Sequence, residues 1–186
     1  MIAGIFIGGA SRRMGGRPKA LLPAPDGSGT LVERTARVAA AASLAPVLVG
    51  RNDEVARILP DLEVVEDRPG APGPLGGLAA LLSRADGARA IALPCDMPAL
   101  GPPLLRRLVE EAPAATLLAP RDARGRWQPF FSRWDPALLR EVERAIAAGA
   151  RSLQPLFAAH ATPLSLDEAG WRALRDWDTP ADVGAG

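Results

Sequence analysis

The first hint of chemistry in this chain is a glycine-rich run, Gly8-Gly9-Ala10-Ser11-Arg12-Arg13-Met14-Gly15-Gly16-Arg17-Pro18-Lys19, following the apolar stretch Ile2 to Ile7. Lys19 is the only lysine among 22 basic residues, and every other one is arginine. A guanidinium is a rigid planar fork, whereas an ammonium is a compact point charge on a flexible stem. A lysine kept at this position suits a slot where an ammonium reaches a phosphate and a guanidinium does not fit. The alternative is a chance survivor in a composition biased against lysine. Backbone N–H groups in such a turn make an anion-binding concavity, although arginines in a solvated loop would give the same pattern. The spacing is neither Walker A, since no Gly-Lys-Ser or Gly-Lys-Thr occurs, nor the dinucleotide fingerprint Gly-x-Gly-x-x-Gly.

Asp96 follows the apolar run Ala90 to Leu93, within Pro94-Cys95-Asp96-Met97-Pro98. A carboxylate at the carboxyl end of a strand is well placed to hold a magnesium ion bridging triphosphate oxygens. A turn or helix-capping aspartate reads equally well there. Asn52, the only asparagine, precedes Asp53 and a short helix, so capping is its plain alternative. Gly73-Pro74-Leu75-Gly76-Gly77 opens another helix, either as a rigid turn or as a close backbone approach for a ligand. Cys95 reads as a small buried residue, and His160, the only histidine, is isolated. Together they argue against a cysteine–histidine or serine–histidine mechanism.

Positioning these groups needs a scaffold, and the apolar pattern supplies one. Strands are expected at Ile2 to Ile7, Pro46 to Val49, Glu63 to Glu66, Ala90 to Leu93 and Thr116 to Ala119. Helices are expected from Thr30, where Thr30-Leu31-Val32-Glu33 forms a capping box, to Ala42, and at 53–59, 75–84, 102–111, 136–148, 152–158 and 168–174. Arg121 to Arg126 reads as a hairpin turn leading into Pro129-Phe130-Phe131, and a last strand is expected at 163–166. Strands alternating with helices imply an α/β protein, a Rossmann-like three-layer sandwich with a mostly parallel sheet. Some antiparallel pairing is expected in the C-terminal third. Open α/β sheets bind ligands beyond the carboxyl ends of their strands. The loop ending at Lys19, Asn52, Asp67 and Asp96 should therefore share one sheet edge.

Length and composition set the outer bounds. A chain of 186 residues, 48% hydrophobic and 23% charged, fits one domain spanning 1–186 with a full core. A net charge of +1 with both signs interspersed leaves no footprint for nucleic acid or a membrane surface. One cysteine fits a reducing compartment. The apolar start is too short for a signal peptide or a bilayer span, so a cytoplasmic location is expected.

The glycine loop, the Asp67 segment running into Gly-Pro-Leu-Gly-Gly, the Pro-Cys-Asp-Met-Pro turn, Gln128-Pro129 and the closing Asp178-Thr179-Pro180-Ala181-Asp182 occur in this order. Together they resemble the molybdenum cofactor guanylyltransferases, within the MobA-like nucleotidyltransferases. The family's loop opens Leu-Ala-Gly-Gly, and here it reads Phe6-Ile7-Gly8-Gly9. Relatives that use CTP carry Ala-Ala-Gly at that point, so the paired glycines favour the guanylyl branch. The family tail often reads Asn-Thr-Pro-Glu, and here Asp178 replaces the asparagine.

The resemblance implies that Phe6, Ile7, Gly8 and Gly9 line the base and ribose side of a GTP site, with Asn52 and Asp67 on the nucleoside. It further implies Lys19 and Arg13 at the phosphates and Asp96 as the Mg²⁺ ligand. The implied substrates are GTP and molybdopterin, with room for other cofactor-biosynthesis proteins as partners. Two rival readings remain at this point: a CTP- or sugar-phosphate-dependent nucleotidyltransferase, and a non-catalytic adaptor that shields the cofactor.

Overall fold

The computed structural model describes residues 1–8, 18–68, 70–71 and 73–177. Gly9, Arg13 and the segment beginning at Asp178 lie outside the described residues. Among the described residues, seven strands form one sheet in the order β3-β2-β1-β4-β6-β5-β7. They are β1 (Ile2–Phe6), β2 (Ala45–Val49), β3 (Val64–Val65), β4 (Ala90–Pro94), β5 (Leu117–Pro120), β6 (Ser132–Trp134) and β7 (Ala161–Leu164). Strand β6 runs antiparallel to both its neighbours, β4 and β5, and every other pairing is parallel. The sheet is thus a parallel α/β sheet with one reversed strand in its C-terminal half.

Helices cover both faces. On one side α3 (Pro74–Arg84), α5 (Leu139–Ala147) and α6 (Gln154–His160) pack on Val47, Val49, Ala90, Ala92 and Trp134. On the other, α1 (Leu31–Ala41) and α4 (Pro102–Glu110) pack on Ala3, Ile91, Leu93 and Leu118, with α2 (Asp53–Ile58) beside β2 and a final α7 (Glu168–Ala173). Burial on both faces explains the uninterrupted apolar run of β4, all five residues of which are buried. The α1 capping box forms in full: the Thr30 side chain accepts from the Glu33 N–H, and Glu33 accepts from the Thr30 N–H at 2.7 Å. No helix among the described residues is long and apolar enough to cross a membrane.

Several element bounds differ from the sequence expectation, each for a local reason. The segment Pro129–Phe131, into which the hairpin turn leads, is itself a turn and the strand begins only at Ser132, whose hydroxyl donates to the Pro129 carbonyl at 2.6 Å. The helix expected over 136–148 divides into a 3-10 turn at Pro136–Leu138, capped by Asp135, and α5. The helix α6 starts at Gln154, with Pro155 in its first turn, and ends at His160, and β7 follows directly at Ala161. A 3-10 turn at Lys19–Leu21, which apolar periodicity does not announce, carries the lone lysine.

Candidate active site

The site is a consequence of strand register. Phe6, the last residue of β1, pairs with Val49 at the end of β2 and Pro94 at the end of β4, and Val49 pairs in turn with Val65 at the end of β3. Four parallel strands therefore stop level with one another, and the segments leaving them must diverge. A cleft of about 440 Å³ opens there. Ile7 and Gly8 leave β1, Gly50 leaves β2, Asp67 follows β3, and Cys95 and Asp96 follow β4; all of them line it. Lys19 enters from its 3-10 turn, and Gly73 and Pro74 from the start of α3.

Lys19 Nζ and Asp96 Oδ2 stand 3.0 Å apart, with both side chains about four-fifths withdrawn from solvent. A charge-assisted bond of this length is strong and directional. It joins a cation and a carboxylate in the lining of the cleft, on segments far apart in the chain. Asp67 opens toward solvent, yet one carboxylate oxygen lies so close to the α3 backbone that a Cβ on Gly77 would come within 2.9 Å of it. That partial burial raises the Asp67 carboxyl above its ordinary value. Burial pushes the Cys95 thiol up to about 12, so it stays protonated at neutral pH and is no nucleophile.

The same hypothetical Cβ at Gly77 would meet Phe6 Cε1 and Val49 Cγ1 at 2.9 Å. Gly77 therefore serves helix-to-sheet packing, which brings α3 down beside Asp67, whereas a Cβ on Gly76 would meet the Ala71 carbonyl oxygen of the preceding loop at 2.6 Å. Gly50 has φ +91, and a Cβ there would stand 3.4 Å from the Gly8 nitrogen. A side chain at that position would be strained and would crowd the β1 loop.

Of the site residues expected from sequence, the structure brings Phe6, Ile7, Gly8, Lys19, Asp67 and Asp96 around this one cleft. Asn52 lies two residues beyond Gly50 at the same sheet edge but is not in the lining. Its Oδ1 accepts from the Glu54 and Val55 N–H groups at 3.1 and 3.2 Å, capping α2. Gly9 and Arg13 lie outside the described residues. Sequence reasoning did not select Phe130, whose ring tilts against Phe6 with centroids 4.8 Å apart and closes one wall. Its only signal was an apolar pair after Gln128-Pro129. Gly50 was also missed, although a glycine immediately after a buried strand could have marked it.

No group of three or more histidine, cysteine, aspartate or glutamate side chains placed to hold a metal ion occurs among the described residues. Mg²⁺ does not need one, because it keeps several waters and takes one or two carboxylates together with substrate phosphates. Asp96 fits that donor set.

The sequence matches the MobA-like NTP transferase domain family over residues 3–164. It is 37% identical over 152 residues to a molybdenum cofactor guanylyltransferase of Pseudomonas putida, covering 81% of this chain and 78% of the relative. It is 34% identical over 199 aligned residues to a probable molybdenum cofactor guanylyltransferase of Mycolicibacterium paratuberculosis, covering 99% of this chain and 94% of the relative. Among solved structures, molybdopterin-guanine dinucleotide biosynthesis protein A from Archaeoglobus fulgidus superposes with a TM-score of 0.80 at 22% identity, over 99% of this chain and 95% of that one. At that identity the structural likeness speaks to the fold.

Proposed function

Because this chain belongs to the MobA-like NTP transferase family, and is thus a nucleotidyltransferase, we propose that it transfers GMP from GTP to the phosphate of molybdenum-bearing molybdopterin. Pyrophosphate is released, and the product is molybdopterin guanine dinucleotide. An oxygen of the acceptor phosphate attacks the α-phosphorus in line. The new P–O bond forms as the bond to the β-phosphate bridging oxygen breaks, and pyrophosphate departs with that electron pair. No covalent enzyme intermediate is needed, in keeping with the protonated Cys95.

The observation that carries this reading is the Lys19–Asp96 pair at 3.0 Å in the lining of a cleft of about 440 Å³. An ammonium and a carboxylate side by side are the two halves of a metal–triphosphate site: one faces the phosphate oxygens, the other a cation. Lys19 neutralises phosphate charge and helps align the α-phosphorus, work that needs position more than acid–base chemistry. Arg13 joins it in this reading. Asp96 would hold Mg²⁺, which when bound supplies charge neutralisation on the triphosphate. Phe6, Ile7, Gly8 and Gly9 face the base and ribose, and Asp67 accepts from the nucleoside. The Asn52 cap occupies its Oδ1, so a nucleoside contact from Asn52 falls to its amide N–H groups. A cytoplasmic setting, with GTP and reduced thiols, belongs to the same reading.

The test is pyrophosphate release with molybdopterin, Mg²⁺ and each of the four nucleoside triphosphates. Turnover with GTP and not CTP is the expected result. Turnover with CTP alone would reassign the nucleotide. GTP binding without pyrophosphate release, cofactor supplied, would make the protein a carrier and not an enzyme of this reaction.

A further inference from the structure

Lys19 and Asp96 reach the cleft from two turns with no covalent nearness, one after β1 and one after β4. Their spacing depends on what is packed behind those turns. One residue near the end of the described chain touches both. The Trp177 backbone N–H donates to the Asp96 carbonyl at 3.0 Å. Trp177 is 8% exposed and packs with Leu22, Ala24 and Leu31 in a small apolar cluster separate from the larger ones. Leu22 closes the lysine turn, since its N–H donates to the Lys19 carbonyl at 3.0 Å. The Leu22 carbonyl in turn accepts from the N–H of Leu31, the first residue of α1, at 2.9 Å.

We propose that Trp177 is a positioning residue: it holds the lysine turn and the Asp96 turn at the separation that places ammonium and carboxylate together in the cleft. The main chain of Trp177 fixes one partner, and its side chain fixes the other through Leu22. An indole buries a large, rigid area for little conformational freedom, so it suits a wedge between two turns. Displacement of a reacting group by about 1 Å costs on the order of 10²-fold in rate. Trp177 is therefore a residue remote from substrate whose loss should be felt as a loss of rate. The kinetic part of this inference rests on the proposed transfer reaction; the geometric part does not.

The single lysine makes a direct test possible. Protein grown with lysine labelled with ¹³C at Cε gives one lysine side-chain signal, from Lys19, in the free protein. Asp96→Asn sets the shift expected when the pair is broken. Trp177→Ala is expected to move the Lys19 signal the same way, Trp177→Phe to restore most of it, and Leu174→Ala, a buried change in a different cluster, to leave it in place. In pyrophosphate release, Trp177→Ala should lower kcat by on the order of tenfold or more with KM for the nucleotide changed by less than about threefold. Adding it to Lys19→Ala should slow the enzyme no further.

An unmoved Lys19 signal in folded Trp177→Ala overturns the inference, as does an equal shift in Leu174→Ala or a kcat effect that multiplies with that of Lys19→Ala. If Trp177→Ala does not fold, Trp177→Leu and Trp177→Phe carry the same measurements. A wild-type protein that releases no pyrophosphate would bring down the proposed reaction and leave the Lys19 signal to decide the positioning role.

Discussion

Lys19, in the 3-10 turn after β1, and Arg133, on β6, are both largely withdrawn from solvent, and they are held in opposite ways. Lys19 faces a carboxylate in an open cleft at the end of the parallel strands. Arg133, on the reversed strand β6, is 1% exposed and gives its guanidinium to main-chain carbonyls at the end of α4. Nη1 donates to Leu108, Val109 and Glu111 at 3.0, 2.7 and 2.8 Å, and Nη2 to Ala112 at 2.6 Å. Helix ends leave carbonyls without intrahelical partners, and a planar five-donor fork can satisfy several at once. The difference shows how position selects the cation. A fork that meets fixed carbonyls locks a helix to a strand, whereas a point charge on a flexible stem can follow a phosphate.

The contrast also separates the two halves of the sheet. Around β1 to β4, glycines and prolines keep strand ends clear and apolar packing stops short of a cleft. Around β5 to β7, Trp127, Trp134 and Phe157 close the space with aromatic contacts, the last two in an edge-to-face pair at 5.2 Å. One half leaves room for a ligand, and the other fills it.

The largest expected effect breaks the comparison on its functional side. Lys19→Ala should lower kcat for pyrophosphate release by about 10²–10³-fold, the scale of removing one transition-state donor, with the thermal midpoint nearly unchanged. Lys19→Arg should also be impaired; an arginine enzyme with full turnover would show that any cation serves and would erase the distinction. Next, Arg133→Ala should cost about 3 kcal/mol of unfolding free energy in urea titration, because several buried carbonyls lose their donor at once. Its kcat per folded molecule should be retained. Arg133→Lys should recover little of the loss, since an ammonium cannot span the same carbonyls.

Gly77→Ala tests where packing and function share atoms. The added methyl would press on Asp67, Phe6 and Val49 together, so a stability loss of about 1–3 kcal/mol for overpacking is expected, together with weaker nucleotide binding in a titration. The smallest effect concerns Asp67, whose carboxyl is raised by burial. With the folded value above the unfolded one, the folded state holds the proton more tightly. Ionised Asp67 therefore costs stability at neutral pH, and that cost disappears as pH falls through the raised value toward the ordinary carboxylate range. Asp67→Asn should thus be slightly more stable than wild type at pH 7. Urea titrations at lower pH should show the two converging, and a gap that widens on acidification would contradict the assigned burial.

Much of the scaffold was legible because its signals are local. The Thr30–Glu33 capping box spans four residues, and both of its bonds form. The apolar runs of β1 and β4 are short, unbroken and bounded by glycine or proline, as strands buried on two faces must be. Lys19, Asp67 and Asp96 could be selected as candidates from residue type and position after a strand. Asn52 shows the limit: a capping residue and a ligand-binding one look alike in sequence, and here the cap is made. The strand at Ser132 was not legible, because a turn closed by the Ser132 hydroxyl on the Pro129 carbonyl leaves no periodicity to read.

By itself, then, the amino-acid sequence determined the succession of strands and helices, the α/β class with a reversed pairing late in the chain, and the residue types available for phosphate chemistry. Only the tertiary structure decided that β6 inserts between β4 and β5, that Phe130 closes on Phe6, that Arg133 ties β6 to α4 and that Trp177 reaches back to Asp96. The reason is physical. Capping, turn formation and apolar periodicity act over a few residues and leave a mark in the sequence. Contacts between distant segments are chosen by which burial best offsets the entropy of closing the chain between them, and no single segment records that choice.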